Sequence, residues 1–252
     1  MAAPAKGTRR LDEILVERKL FSTRSRARDA IARGTVTVDG SVAVKAGQGV
    51  SDAAEIDVAD PARGYVSRAA LKLVAGLEHF GFDPAGRTAL DIGAPTGGLT
   101  QVLLERGVAH VVAIDVGHGQ MDAALKADPR VTNLEGVNAR ALTSNDLDGR
   151  VLDILVSDVS FISLRLALPP ALDLAALGAK GIFLVKPQFE AGREAIGKGG
   201  LLKDPADGPR VAEGLRDWLD AFPGWRAIGL ITSPIEGGDG NREYLLSGTK
   251  DR

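Results

Sequence analysis

The apolar positions follow one spacing up to about residue 60 and another after it. Near the start, Leu11, Ile14 and Leu15 stand at i, i+3, i+4, which predicts a helix over Leu11–Glu17. Ser22 and Thr23 are cap residues ahead of a second helix, Arg24–Ile31, and Gly34 is placed to end it. Thr35–Val38 then alternates as a strand does, Asp39-Gly40 is a hairpin turn, and Val42–Val44 is the return strand. A third short strand is expected at Glu55–Val58. Helix, basic helix and hairpin make a small α+β domain over 1–59, closed by a Pro- and Gly-broken linker at 60–66.

From residue 67 to 252 the pattern becomes strand, helix, strand. A helix running to about Phe80 comes first. Strands are expected at Thr88–Ile92, Val111–Val116, Val131–Glu135, Leu152–Asp158, Gly181–Val185, Trp225–Ile231 and Glu243–Ser247. Helices are expected at 98–106, 120–127, 163–176 and 208–221. This alternation predicts an α/β fold: a Rossmann-like, doubly wound parallel sheet with the small α+β domain ahead of it.

Composition narrows the picture. The longest apolar runs fall well short of a membrane span, and Met1–Arg10 lacks the apolar centre of a signal peptide, so a cytoplasmic protein is expected. With no cysteine there are no disulfides or thiolate metal sites, and His79, His110 and His118 have no metal-binding spacing. Charge is unevenly placed. Residues 1–45 hold ten Lys/Arg, Lys6 among them, against five Asp/Glu, on a chain whose net charge is −2. A basic front end points to a polyanion met by that part alone. Arg24 and Arg28, at i, i+4, project together, with Lys19 on their approach.

The candidate chemistry gathers at strand ends. Ala89–Thr100 reads as a strand, a bend holding Gly93, Gly97 and Gly98, and a helix start. Glycine has no Cβ, so such a bend lets backbone approach a bound nucleoside. A second acid, Asp115, ends the next strand. Asp158 and Lys186 end two more apolar strands, and a lysine there is costly unless paired or working. Open α/β sheets bind ligands beyond the carboxyl ends of their strands, so Asp91, Asp115, Asp158 and Lys186 are expected in one crevice. Taken alone, the acids also fit turn caps, and Lys186 with Asp158 a structural ion pair.

The ordered motifs carry a resemblance. Asp91-x-Gly93-x-x-x-Gly97-Gly98 resembles motif I of S-adenosylmethionine-dependent methyltransferases. That resemblance implies S-adenosylmethionine as cofactor, bound through Asp91, Gly93, Thr96, Gly97, Gly98 and Asp115; Asn138, after the third strand, fits either an adenine contact or a simple turn. Arg10-Leu11-Asp12, Ser25-Arg26-Ala27-Arg28 and Gly34–Gly40 resemble the RNA-binding module of ribosomal small-subunit protein four, which implies RNA contact through Lys19, Arg24, Arg26 and Arg28. Ser67–Leu73, Asp158–Leu164, Lys186–Glu190 and Gly240–Leu246 together look like the TlyA (haemolysin A) family. That family joins such a module to an FtsJ-like rRNA 2′-O-methyltransferase, and its substrate is ribosomal RNA or ribosomal subunits, at a cytidine. Its Lys-Asp-Lys-Glu tetrad maps to Lys72, Asp158, Lys186 and Glu243. In this reading Lys186 is the base, Lys72 lowers its pKa, and Asp158 and Glu243 orient the lysines. The chain departs from the family at Pro95, which removes an amide donor, at His118, and at Ala69-Ala70. A membrane-active haemolysin and a non-catalytic RNA-binding protein are the rival readings.

Overall fold

The computed structural model describes residues 7–238 and 240–251. Lys6, and with it the first part of the 1–59 domain, lies outside them. The chain divides into two compact units between Gly64 and Tyr65.

The first unit contains β1 (Thr8–Arg10), α1 (Leu11–Glu17), α2 (Arg24–Ala32), β2 (Val36–Val38), β3 (Ser41–Val42), β4 (Gly49–Ser51) and β5 (Ile56–Val58). Strands β3, β2 and β5 form an antiparallel sheet, and β1 pairs with β4. Thr23 caps α2 by accepting from the Arg26 amide, as the sequence predicts. Leu11, Ile14 and Leu15 bury the apolar stripe of α1 against Ala27, Ile31 and Val36. The first half of the expected linker is bonded into this unit. Both Asp60 carboxylate oxygens accept from Arg33, at 2.8 and 2.9 Å, and the Ala62 carbonyl accepts from Arg26 at 2.5 Å.

The second unit runs α3 (Ala69–Phe80), β6 (Thr88–Ile92), α4 (Gly98–Glu105), β7 (His110–Asp115), α5 (Ala123–Lys126), β8 (Val131–Glu135), β9 (Leu152–Ser157), α6 (Leu164–Ala167), α7 (Pro169–Leu174), β10 (Ala175–Val185), α8 (Asp207–Ala221), β11 (Trp225–Thr232) and β12 (Tyr244–Lys250). The sheet order is β11-β12-β10-β9-β6-β7-β8. Apolar layers cover both faces.

Four expectations are corrected. The sheet is mixed, because β12 runs antiparallel to both β10 and β11. The connection 233–243 is too short to carry a crossover back to a parallel strand. The single helix expected at 163–176 is two short helices, since Pro169 and Pro170 lack the amides that would continue it. The chain then enters β10 at Ala175, six residues before the expected strand start at Gly181. Glu243 falls one residue before β12 rather than inside it.

Strand order reverses between β6 and β9. β7 and β8 lie on one side of β6, and β9 and β10 on the other. A crevice opens beyond the carboxyl ends of strands at such a point. Asp91, Asp115, Asp158 and Lys186 all occupy that end of the sheet.

Candidate active site

The bend after β6 is built by two left-handed glycines. Gly93 has φ 81° and Gly97 has φ 84°, backbone that other residues adopt only with strain. A Cβ at Gly93 would meet the Asp158 carbonyl at 3.1 Å, so the close approach of the β6 and β9 ends depends on its absence. Gly97 precedes α4, and Gly98 is its first residue. Beyond the bend lies a cavity of about 340 Å³ lined by Gly93, Asp115, Gly117, Gln120, Asn138 and Asp158. Val116 and Val137 supply apolar wall. Asp115 Oδ1 accepts from the Gly117 amide at 2.6 Å, and the Asn138 side chain accepts from the Arg140 amide at 3.1 Å. Pro95 lines the cavity and offers no donor.

Behind the bend a smaller void of about 30 Å³ is lined by Asp91, Gly93, Thr96, Gly98 and Asp158. Asp91 is 1% exposed. Its Oδ2 accepts from Thr100 Oγ1 at 2.7 Å, and its Oδ1 has no hydrogen-bond partner among the described residues. Burial, reinforced by Asp158 and Asp115, pushes this carboxyl up to about 7, against the pull of Thr100. A buried, half-satisfied carboxylate beside a cavity is a site awaiting a positive or proton-donating group.

The tetrad resolves into two ion pairs. Lys186 Nζ is 2.7 Å from Asp158 Oδ1 and donates to Ser160 Oγ at 2.8 Å. Lys72 Nζ contacts Glu243 Oε2, both side chains buried. Sheet register brings the pairs to one end of the sheet. Val185 pairs with Tyr244, so Lys186 and Glu243 are the next positions out on neighbouring strands. Helix α3, carrying Lys72, packs on β10 and β12. The charge of Lys72 is met at contact by Glu243, as that of Lys186 is by Asp158.

Four residues beyond those expected shape the site. Gln120 lines the cavity beside Asp115. Glu190 accepts from Ser163 Oγ at 2.6 Å and from the Leu164 amide at 2.7 Å, tying the loop after β10 to the loop after β9. Burial raises its carboxyl above the usual range, while those two donors oppose the shift. Asn241, buried, donates to the Gly200 carbonyl at 2.9 Å and accepts from the Leu202 amide at 3.3 Å, fastening the 192–204 loop beside Glu243. Phe161, 90% exposed at φ 64°, packs its ring against Phe189 at 5.0 Å and a 49° tilt, and it lines the cavity. An exposed aromatic in a strained backbone is the kind of feature held for a ligand. Phe161, Glu190 and Asn241 fall within the quoted family motifs without an assigned role, and no pattern marks Gln120.

In the first unit the expected RNA contacts divide. Arg24 and Arg28 share a face and both donate to Asp12. Arg26 turns away, to the Ala62 carbonyl. Lys19 follows α1 at φ 57° with its side chain exposed. Among the described residues no group of three or more His, Asp or Glu is placed to hold a metal ion. No helix there is long and apolar enough to cross a membrane.

Residues 65–250 match the FtsJ-like methyltransferase family, and residues 9–56 match the S4 domain. The chain is 46% identical over 238 residues to a Mycobacterium tuberculosis protein named 16S/23S rRNA (cytidine-2′-O)-methyltransferase TlyA, covering 94% of this chain and 88% of that one. It is 35% identical to hemolysin A of Brachyspira hyodysenteriae, covering 94% and 98% of the two chains. A solved structure from Streptococcus thermophilus that carries a hemolysin name superposes with TM-score 0.76 at 36% identity, over 98% of this chain and 90% of that one. With a glycine bend at the strand reversal, two lysine–carboxylate pairs at one end of the sheet and these likenesses over nearly the whole length, the chain belongs to the TlyA family of FtsJ-like methyltransferases with an N-terminal S4 domain.

Proposed function

We propose that this protein transfers a methyl group from S-adenosylmethionine to the 2′-hydroxyl of a cytidine ribose in ribosomal RNA. The observation that carries the reading is the cavity at the strand reversal, lined by Gly93 of the bend and by Asp158, whose carboxylate pairs with Lys186. The names of the relatives support the substrate.

The residues fit the cofactor. The glycines leave backbone-lined space, Asp115 and Asn138 reach the cavity, and Asp91 holds an unmet carboxylate oxygen behind the bend. Asp91, Gly93, Thr96, Gly97, Gly98, Asp115 and Asn138 would hold it. When bound, S-adenosylmethionine supplies a methyl group already activated on a sulfonium. The protein must then align a weak ribose nucleophile and remove its proton. Lys186 Nζ, once neutral, accepts that proton. Asp158 and Ser160 fix the amine in place, and Lys72 with Glu243 closes the flank of the site. The S4 domain, through Lys19, Arg24 and Arg28, holds RNA by its phosphates and shape. Arg26, committed to the Ala62 carbonyl, supports that surface from behind.

Phe161 extends the reading to the base. Its exposed ring, backed by Phe189, offers a stacking face beside the reacting ribose. Phe161→Ala is expected to lower methyl transfer about tenfold, chiefly through KM for RNA, because one base–aromatic stack is worth roughly 1–3 kcal/mol. Cofactor affinity, measured by calorimetry, should not move; a loss of cofactor binding instead would assign the ring to the cofactor pocket.

The function itself is tested by incubating the protein with methyl-labelled S-adenosylmethionine and, separately, 30S subunits, 50S subunits, and naked 16S and 23S rRNA. Label is expected in at least one rRNA. Cofactor binding with no label in any of the four would favour a non-catalytic RNA-binding protein.

A further inference from the structure

Asp12 is the second residue of α1, is 0% exposed, and carries its charge at the centre of three arginines. Its Oδ1 accepts from Arg10 Nε at 3.0 Å. Its Oδ2 accepts from Arg10 Nη2 at 3.2 Å, Arg24 Nη2 at 3.0 Å and Arg28 Nε at 2.8 Å. Burial alone would push this carboxyl up. The bonds from Arg10, Arg28 and Arg24 outweigh it and hold the group well below the usual carboxylate range. The arginines come from two elements. Arg10 ends β1, while Arg24 and Arg28 are one turn apart on α2, whose start Thr23 fixes. Backbone bonds from Leu11 to Gln48 and from Asp12 to Ala46 pin the hub itself.

A fully buried carboxylate is an expensive way to stabilise a small domain, since apolar packing often does as well. What it supplies is geometry. A guanidinium has five N–H donors. Asp12 takes two from Arg10, two from Arg24 and one from Arg28, and Arg24 Nη1 lies 3.1 Å from Glu13, while the Arg24 and Arg28 side chains stay 44% and 53% exposed. Arg28 spends only its Nε on the hub, and the exposed parts of Arg24 and Arg28 stand at a spacing set chiefly by the acceptor they share. Guanidinium edges match phosphate oxygens, and a pre-set fork loses less entropy on binding.

We infer that Asp12 is the positioning residue of a phosphate clamp, in which Arg10, Arg24 and Arg28 are held at fixed spacing to grip the sugar-phosphate backbone of folded RNA. The inference rests on the reading of the S4 domain as an RNA-binding surface. It makes a prediction opposite to simple charge counting. Asp12→Asn removes a negative charge from a surface that binds a polyanion, and yet RNA affinity should fall.

The test measures binding of the full-length protein to transcribed 16S and 23S rRNA over a series of salt concentrations, with methyl-transfer kinetics alongside. Asp12→Asn is expected to weaken binding about tenfold, to flatten the salt dependence by about one released counterion, and to raise KM for RNA with kcat unchanged. Glu13→Gln removes a half-exposed acid from the same surface, 3.1 Å from Arg24. It should bind RNA as well as the parent or more tightly. Arg28→Lys keeps the charge but loses the fixed Nε bond; it should weaken binding about threefold at an unchanged melting temperature, and it serves if Asp12→Asn does not fold. Asp12→Asn behaving like Glu13→Gln, or Arg28→Lys binding with parental affinity and salt slope, overturns the clamp. A parent protein with no salt-dependent RNA affinity overturns the RNA-binding reading beneath it.

Discussion

Lys186→Met is expected to reduce methyl transfer by about 10²–10⁴-fold while leaving cofactor affinity within about twofold, the loss that follows removal of a positioned proton acceptor. Lys186 emerges from an apolar strand directly into contact with Asp158 and Ser160, and its amine is placed by both. Lys186→Arg separates the two roles a cation can play there. Arginine preserves the charge and an ion pair with Asp158, but it does not deprotonate in this range. A base role requires the Arg variant to be as impaired as the Met variant. Substantial activity in the Arg variant would mean that Lys186 acts only as a fixed positive charge. Single-turnover kinetics with saturating RNA measures this without interference from product release.

The second large effect is a gain of stability at the expense of binding. The folded-state carboxyl of Asp91 stands at about 7 against an ordinary value of 3.8, so the fold favours the protonated form. Its contribution to stability is therefore fully present below about pH 4, is lost as pH rises from there to about 7, and stays lost above. A displacement of that size corresponds to roughly 4 kcal/mol. Asp91→Asn keeps the shape and an acceptor for Thr100 but does not ionise. Without cofactor, the variant is expected to melt several degrees higher than the parent at pH 8 and at about the same temperature near pH 4. Cofactor affinity should fall by about 10–100-fold, the value of one charged hydrogen bond. Thermal melts across pH 4–8, with and without S-adenosylmethionine, check both halves. A variant less stable than the parent at pH 8 would contradict the account of Asp91 as a strained, half-satisfied carboxylate.

Much of this arrangement was legible in the sequence where local chemistry dictates it. The glycines of the bend, the acid ending each strand and the Thr23 cap are demanded by backbone geometry within a few residues, and each lies where the pattern places it. Features decided by distant partners were not legible. Lys72 and Glu243 are 171 positions apart, and nothing local says that they neutralise one another. The reversal of β12 follows from which strand its short connection returns beside, not from its own residues. The i, i+4 spacing already sets Arg24 and Arg28 apart from Arg26, but not the acceptors they reach. Only the fold sends Arg24 and Arg28 to Asp12 and Arg26 to the Ala62 carbonyl. Asp12 itself reads as an ordinary acid in a first helical turn, which hides its place at the centre of a cationic cluster.

Two of the departures from the family motifs have structural settings. Pro95 lies on the cavity wall, after two bend amides, Gly93 and Ala94, that both donate to the Ile114 carbonyl. His118 lies against Gly136, where a Cβ would meet its Nε2 at 2.8 Å. Neither disturbs the Asp158–Lys186 pair.

The central claim is that the reacting atom is a ribose oxygen facing Lys186. Alkaline digestion of rRNA labelled by the protein tests it most directly, because a 2′-O-methyl group blocks cleavage of the adjoining phosphodiester. The account predicts that the label survives in an alkali-resistant dinucleotide whose 5′ residue is cytidine. Label recovered in mononucleotides carrying a methylated base would contradict it.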